Sequence, residues 1–160
     1  MTSLNISELT TFLRRASLPH ALGISNAKRM PDGSTTITFQ QGSWDFHDNF
    51  YGGEPYGGRA VIYHRQKPVW IMVYYGQIHD TTLKPDDIYT FLRLALQQAP
   101  AYRPYRGPSS FIKANLEYRN RVTGTMENYN GKEVILENGT EIYWSTYLGG
   151  LVDQQAGVGF

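Results

Sequence analysis

The 160-residue chain contains no cysteine. Disulfides, thiol nucleophiles and thiolate metal sites are therefore excluded, and the composition suits a reducing compartment. No apolar run is long enough to span a bilayer, and Met1-Thr2-Ser3-Leu4-Asn5 lacks a basic stretch followed by an apolar core, so the expectation is a cytoplasmic protein without membrane contact. Charge of one sign is missing as well. Fifteen basic and fourteen acidic side chains leave a formal net charge of +1 without long runs of either, so direct nucleic-acid binding is not expected. Catalytic signatures are scarce. His20, His47, His64 and His79 have no metal-ligand spacing, no serine occupies a Gly-x-Ser-x-Gly elbow, and the glycine-rich stretch Gly52–Gly58 lacks the lysine of a phosphate-binding loop. These patterns predict no catalytic residue, metal or cofactor, and the sequence leans away from an enzyme without deciding the point.

What is present in excess is aromatic: three Trp, seven Phe and twelve Tyr. Tyr and Trp combine large buried area with a polar tip, which suits cores, pockets and interfaces alike. The second feature is repetition. Glu54, Tyr56, Gly58, Val61, Ile62, Tyr74 and Gly76 recur at a constant offset as Glu127, Tyr129, Gly131, Val134, Ile135, Tyr147 and Gly149. Upstream of each copy stands a related helical core, Thr11-Phe12-Leu13-Arg14-Arg15-Ala16 and Thr90-Phe91-Leu92-Arg93-Leu94-Ala95. A single domain is expected over residues 1–160, with pseudo-repeats at 5–79 and 84–152 about a pseudo-twofold axis and a loose tail at 153–160.

Periodicity places the elements. Asn5 and Glu8 form a capping-box-like pair ahead of the stripe Ile6, Leu9, Phe12, Leu13 and Ala16, and Pro19 is expected to end that helix. Strands follow at Thr35–Phe39 and at Trp44–Tyr51, where Trp44, Phe46, Asp48 and Phe50 share a face. A hairpin joins Arg59–His64 to Pro68–Ile78, whose two faces both read as covered, predicting a central strand. Pro85, Asp86 and Asp87 open the second helix, with a stripe from Ile88 to Ala99. Strands at Leu116–Thr123, Lys132–Leu136 and Ile142–Gly149 complete the second unit, the last two joined by the tight turn Asn138-Gly139. The predicted class is α+β: a helix followed by three antiparallel strands, twice over, with two main helices packed on the antiparallel sheet.

Several of these residues are candidates for a site. Asp48 and Asn120 each sit on an otherwise apolar strand face, where they either tie nearby loop backbone or contact a ligand. Glu54 and Glu127 occupy equivalent turns, as solvated residues or as a carboxylate pair across the axis. Trp70, Tyr74, Tyr143 and Tyr147 are related by the same offset and serve either as core or as an aromatic cage for a cationic or flat apolar molecule. Arg103 and Arg106, beside Tyr102 and Tyr105, form a weak candidate loop for an anion, or a structural crossover.

The segments Phe50-Tyr51-Gly52-Gly53-Glu54, Gly58, Lys67-Pro68-Val69-Trp70, Tyr74-Tyr75-Gly76, Tyr105-Arg106-Gly107-Pro108 and Tyr147-Leu148-Gly149-Gly150 resemble a bacterial domain-of-unknown-function family, number 5680. That family is often found after the helix-turn-helix of XRE-type regulators, and the resemblance implies a sensor or oligomerisation role. Only a short helix precedes the repeat here, so direct transcriptional control is not expected. The leading expectation is a module binding a small apolar or cationic ligand between its halves, with a homodimeric or partner-binding domain as the alternative and a carboxylate acid/base enzyme third.

Overall fold

The computed structural model describes residues 3–155. Helix α1 spans Ile6–Ala21. Asn5 caps it: its Oδ1 accepts from the Ser7 and Glu8 amides at 3.0 and 3.2 Å, and its Nδ2 donates to Glu8 Oε1. Pro19 does not stop this helix, contrary to the sequence expectation. A proline inside a helix removes its own amide bond and crowds the carbonyl four residues back, which here affects only the final turn. The real terminator is Gly23, at φ +71°, where the amides of Gly23 and Ile24 donate to the carbonyls of His20 and Pro19 at 2.9 Å each. Helix α2 spans Pro85–Leu96, starts with proline in its first turn beside Asp86 and Asp87, and buries Ile88, Phe91, Leu92 and Ala95.

Nine strands form one antiparallel sheet: β1 (Lys28–Arg29), β2 (Thr35–Gln41), β3 (Trp44–Gly52), β4 (Tyr56–His64), β5 (Lys67–Ile78), β6 (Ser110–Lys113), β7 (Leu116–Thr125), β8 (Asn128–Glu137) and β9 (Thr140–Leu151). Their spatial order is β1-β2-β3-β4-β5-β9-β8-β7-β6, so two meanders meet where β5 pairs with β9. The α+β class and the two helices on an antiparallel sheet agree with expectation, while the short edge strands β1 and β6 carry no readable pattern. Short edges limit the backbone offered to other chains. Tight turns set the register. Arg65-Gln66 and Asn138-Gly139 both hold two consecutive positive φ angles, the geometry of a primed two-residue hairpin.

Two features of composition explain each other at the sheet centre. A Cβ on Gly76 would lie 2.8–2.9 Å from the ring of Tyr56 on the neighbouring strand, and one on Gly131 would lie 2.3–2.7 Å from the ring of Tyr147. The tyrosine rings thus lie flat over glycines, where any side chain would displace them.

The core lies on one face of the sheet, in two clusters. Leu9, Phe12, Leu13 and Ala16 of α1 pack on Trp44, Phe46, Ile62 and Trp70, and α2 packs on Tyr118, Ile135, Ile142 and Tyr143. Each fully buried Leu, Ile or Phe contributes about 1.5–3 kcal/mol of transfer free energy. Strand β5 is central, as its apolar content suggests, but only one of its faces is covered. Val73 and Tyr75 on the other are 46% and 47% exposed. Both helices pack on one side of the sheet, so apolar residues on the opposite side meet solvent. Of the tail expected to be loose, residues 156–160 lie outside the described residues. Among the described residues no helix is long and apolar enough to cross a membrane.

Candidate functional site

Between the two helices and the inner face of the sheet lies a cavity of about 310 Å³. Its walls follow from the alternation of the strands: Phe46 and Phe50 on β3, Ala60 on β4 and Met72 on β5 point inward, and Leu13 and Leu92 come from α1 and α2. Small residues make the space. Ala16 and Ala21 on α1 and Ala60 below fill little of the gap, and the helices are joined at one end by Gln97 Nε2, which donates to the Ala21 carbonyl at 2.9 Å.

The polar group in the floor is Asp48. It sits two residues from Phe46 and Phe50 on the same face of β3, and its Oδ1 accepts the hydroxyl proton of Tyr74 at 2.5 Å. Burial pushes the Asp48 carboxyl up to about 6, against the opposing pull of the Tyr74 hydrogen bond and of Arg106 and Arg59. The same burial, with Asp48 beside it, drives the Tyr74 hydroxyl well above its ordinary range, so that tyrosine stays protonated. Tyr56 and Tyr89 stand beside Tyr74 in the wall, Tyr56 lying 6.0 Å from each by ring centroids.

Next to this floor is a buried charge network that the sequence reading missed. Glu133 on β8 is fully buried and accepts from Arg106 Nε at 3.0 Å, from Arg106 Nη2, from Tyr118 at 2.6 Å and from Tyr143 at 3.0 Å. Burial alone would lower the Arg106 pKa, but Glu133 outweighs it and fixes the guanidinium as a cation. The backbone of Arg106 is held at φ +111°, a region rarely entered by a residue with a side chain, so the ion pair and the surrounding loop hold a strained conformation in place. Tyr105 beside it stacks on Tyr129 at 4.1 Å. A signal for Glu133 existed: it alternates with Tyr129, Gly131 and Ile135, a glutamate in the inward phase of an otherwise apolar strand.

The residues singled out from sequence divide accordingly. Asp48, Tyr74 and Arg106 line the cavity. Glu54 touches it indirectly: its carboxylate accepts from the Ile78 amide at 2.7 Å and from the hydroxyl of Tyr89, itself a wall residue. Glu127 is exposed at the opposite end of the strands, where its carbonyl accepts from Leu151 and its carboxylate from Thr125. Leu151 pairs with Trp70, eight residues along β5 from Ile78, so roughly 26 Å of extended chain separates the ends that carry the two glutamates. They form no carboxylate pair. Asn120 serves the structural alternative, accepting from Tyr147 at 2.6 Å and donating to the Gly107 carbonyl at 3.1 Å. Trp70, Tyr143 and Tyr147 are fully buried core, Trp70 donating to the Met126 carbonyl at 3.1 Å. Arg103 lies outside the lining, with a buried Nη2 that has no hydrogen-bond partner among the described residues. Among those residues no three His, Asp or Glu side chains gather as a metal site.

No curated protein and no solved structure matches the chain. A family profile does, over residues 48–152, and that stretch runs from the floor carboxylate Asp48 to the end of the last strand. The chain therefore belongs to the family described as Domain of unknown function (DUF5680).

Proposed function

We propose that this domain binds a small, largely apolar molecule in the cavity between α1, α2 and the sheet, with Asp48 as its polar anchor. The observation that carries the reading is Asp48 itself. A carboxylate facing an apolar cavity, satisfied by one hydroxyl and destabilised by burial, gains from a ligand that supplies a further donor. A packed core without a ligand role favours an apolar residue at such a position. The volume suits a molecule at the small end of the range for ligand pockets.

The proposal includes the duplication read from sequence. Its support is the register: Tyr74 and Tyr147, equivalent by the repeat, lie directly opposite each other on β5 and β9, as a pseudo-twofold axis between those strands requires. On this reading the halves diverged in use. The second half filled its polar position with Asn120 and the Gly107 loop, and the first kept Asp48 facing open space.

The test is a fragment screen by thermal shift on the wild type and on Ser17→Trp, which places an indole at a half-buried lining position of α1. Hits that raise the wild-type Tm and leave the variant unmoved support the cavity. Hits that act equally on both would remove it as the site.

A protein-interaction role is the second reading, favoured by the uncovered sheet face. Val73, Tyr75 and Leu148 are about half exposed there, and Val73 pairs directly with Leu148. Sedimentation of wild type and Val73→Lys decides it: a dimer lost in the variant supports an interface, and a monomer at all concentrations opposes self-association.

A further inference from the structure

We infer that the cavity selects a hydrogen-bond donor, and that its ligand is an amine carried as a monocation on an apolar body. This rests on the cavity being the binding site proposed above, and adds the ligand's chemical class.

A count of hydroxyl protons leads there. Each tyrosine has one to give. The Tyr74 proton goes to Asp48 Oδ1, and the Tyr89 proton goes to Glu54 Oε2. Tyr143 donates its proton to Glu133 Oε1 at 3.0 Å, so in its 2.5 Å contact with Tyr56 it accepts, and the proton in that bond belongs to Tyr56. Three of the four tyrosines in the lining have therefore committed their only donor to protein, and their oxygens offer only lone pairs to a ligand. The fourth, Tyr105, lies in the loop and stacks on Tyr129. The Asp48 carboxylate is acceptor-only, and its second oxygen has no protein partner among the described residues. A ligand carboxylate here would place acceptor against acceptor. An ammonium group satisfies several acceptors at once and matches the charge.

The cations of the lining do not cancel this preference. Arg106 is paired with Glu133 and spends Nε and Nη2 on it. Arg14 on α1 is exposed, where water and salt screen its charge. The His20 ring is desolvated by its neighbours, and that desolvation, with Arg106 and Arg93 nearby, lowers its pKa below the ordinary histidine value, so it adds little positive charge at pH 8. Arg93 on α2 is partly exposed and donates to Thr90.

The experiment uses three probes with one apolar body: 2-phenylethylamine, 2-phenylethanol and 3-phenylpropanoate. Each is titrated at pH 8 into protein labelled with ¹³C at methionine methyls, because Met72 lines the cavity. The expected result is that the amine binds about ten-fold tighter than the alcohol or better, the scale of one charge-assisted hydrogen bond, and the acid weakest. In Asp48→Asn the amine's advantage over the alcohol should fall below about two-fold. The variant should fold, since Asn120 already accepts from Tyr147 in a like arrangement. Equal or tighter binding of the alcohol or the acid, or an amine preference that survives in Asp48→Asn, would overturn the donor-selecting wall and leave the cavity reading intact. Met72 unmoved by all three at millimolar concentration would overturn both.

Discussion

Tyr74 on β5 and Tyr147 on β9 face each other across the centre of the sheet, and each gives its hydroxyl proton to a side chain two strands outward, Asp48 for the first and Asn120 for the second. The bonds are 2.5 and 2.6 Å long. Their surroundings differ in one respect, on which the proposed ligand binding rests. Asn120 spends its amide on a loop carbonyl, whereas Asp48 lines the cavity and its second oxygen has no hydrogen-bond partner among the described residues.

That difference has a stability signature. Burial raises the folded pKa of Asp48 to about 6, from about 3.8 in the unfolded chain. Between those values the folded protein holds the extra proton, so stability contributed at this site is full below the unfolded pKa and is lost as pH rises through about 6. Asp48→Asn should remove this decline and stabilise the unliganded protein at pH 8 by up to about 3 kcal/mol, with little change at pH 4. Urea denaturation of both proteins at the two pH values measures it. A variant less stable than wild type at pH 8 would count against a strained floor carboxylate.

Arg106 and Glu133 should behave in the opposite sense. Arg106→Met leaves a buried carboxylate with only tyrosine hydroxyls around it, and breaking a buried pair from one side typically costs about 3–5 kcal/mol. Chemical denaturation of wild type and variant at pH 8 reads the loss directly, and a variant as stable as wild type would contradict the buried pair.

Gly131 tests the ring-over-glycine packing. A methyl there meets the tip of Tyr147, whose hydroxyl is already fixed on Asn120, so ring and strand must shift together. Gly131→Ala should cost about 1–3 kcal/mol. Gly53→Ala is the control, since its Cβ meets nothing within 4 Å and its φ is unstrained. Similar outcomes in the two variants would mean that the covering ring does not govern Gly131, since backbone entropy alone favours alanine at both positions.

Legibility in the sequence followed the range of each interaction. The Asn5 cap, the Asn138-Gly139 turn and the alternation of Trp44, Phe46, Asp48 and Phe50 depend on residues a few positions apart, and were readable. Asp48 stood out because one carboxylate broke an apolar face. Glu133 breaks an apolar face in the same way, but its role is hidden in the sequence, because its partner Arg106 lies 27 positions away in a loop with positive φ, and only the register of β7, β8 and β9 brings Tyr118 and Tyr143 to it. Pro19 misled since a helix tolerates proline in its last turn when a glycine cap and a buried face hold it. The outward face of β5 misled for a related reason: Val73 and Tyr75 look the same in sequence whether covered by a helix or by water.

The most direct test of the account is a ¹³C NMR pH titration of the Asp48 carboxyl carbon, alone and with saturating 2-phenylethylamine. The free carboxyl should titrate near pH 6, with Tyr74, Arg106 and Arg59 as the groups opposing burial, and lower once the ammonium sits beside it. Titration in the ordinary carboxylate range, unmoved by the amine, would contradict it.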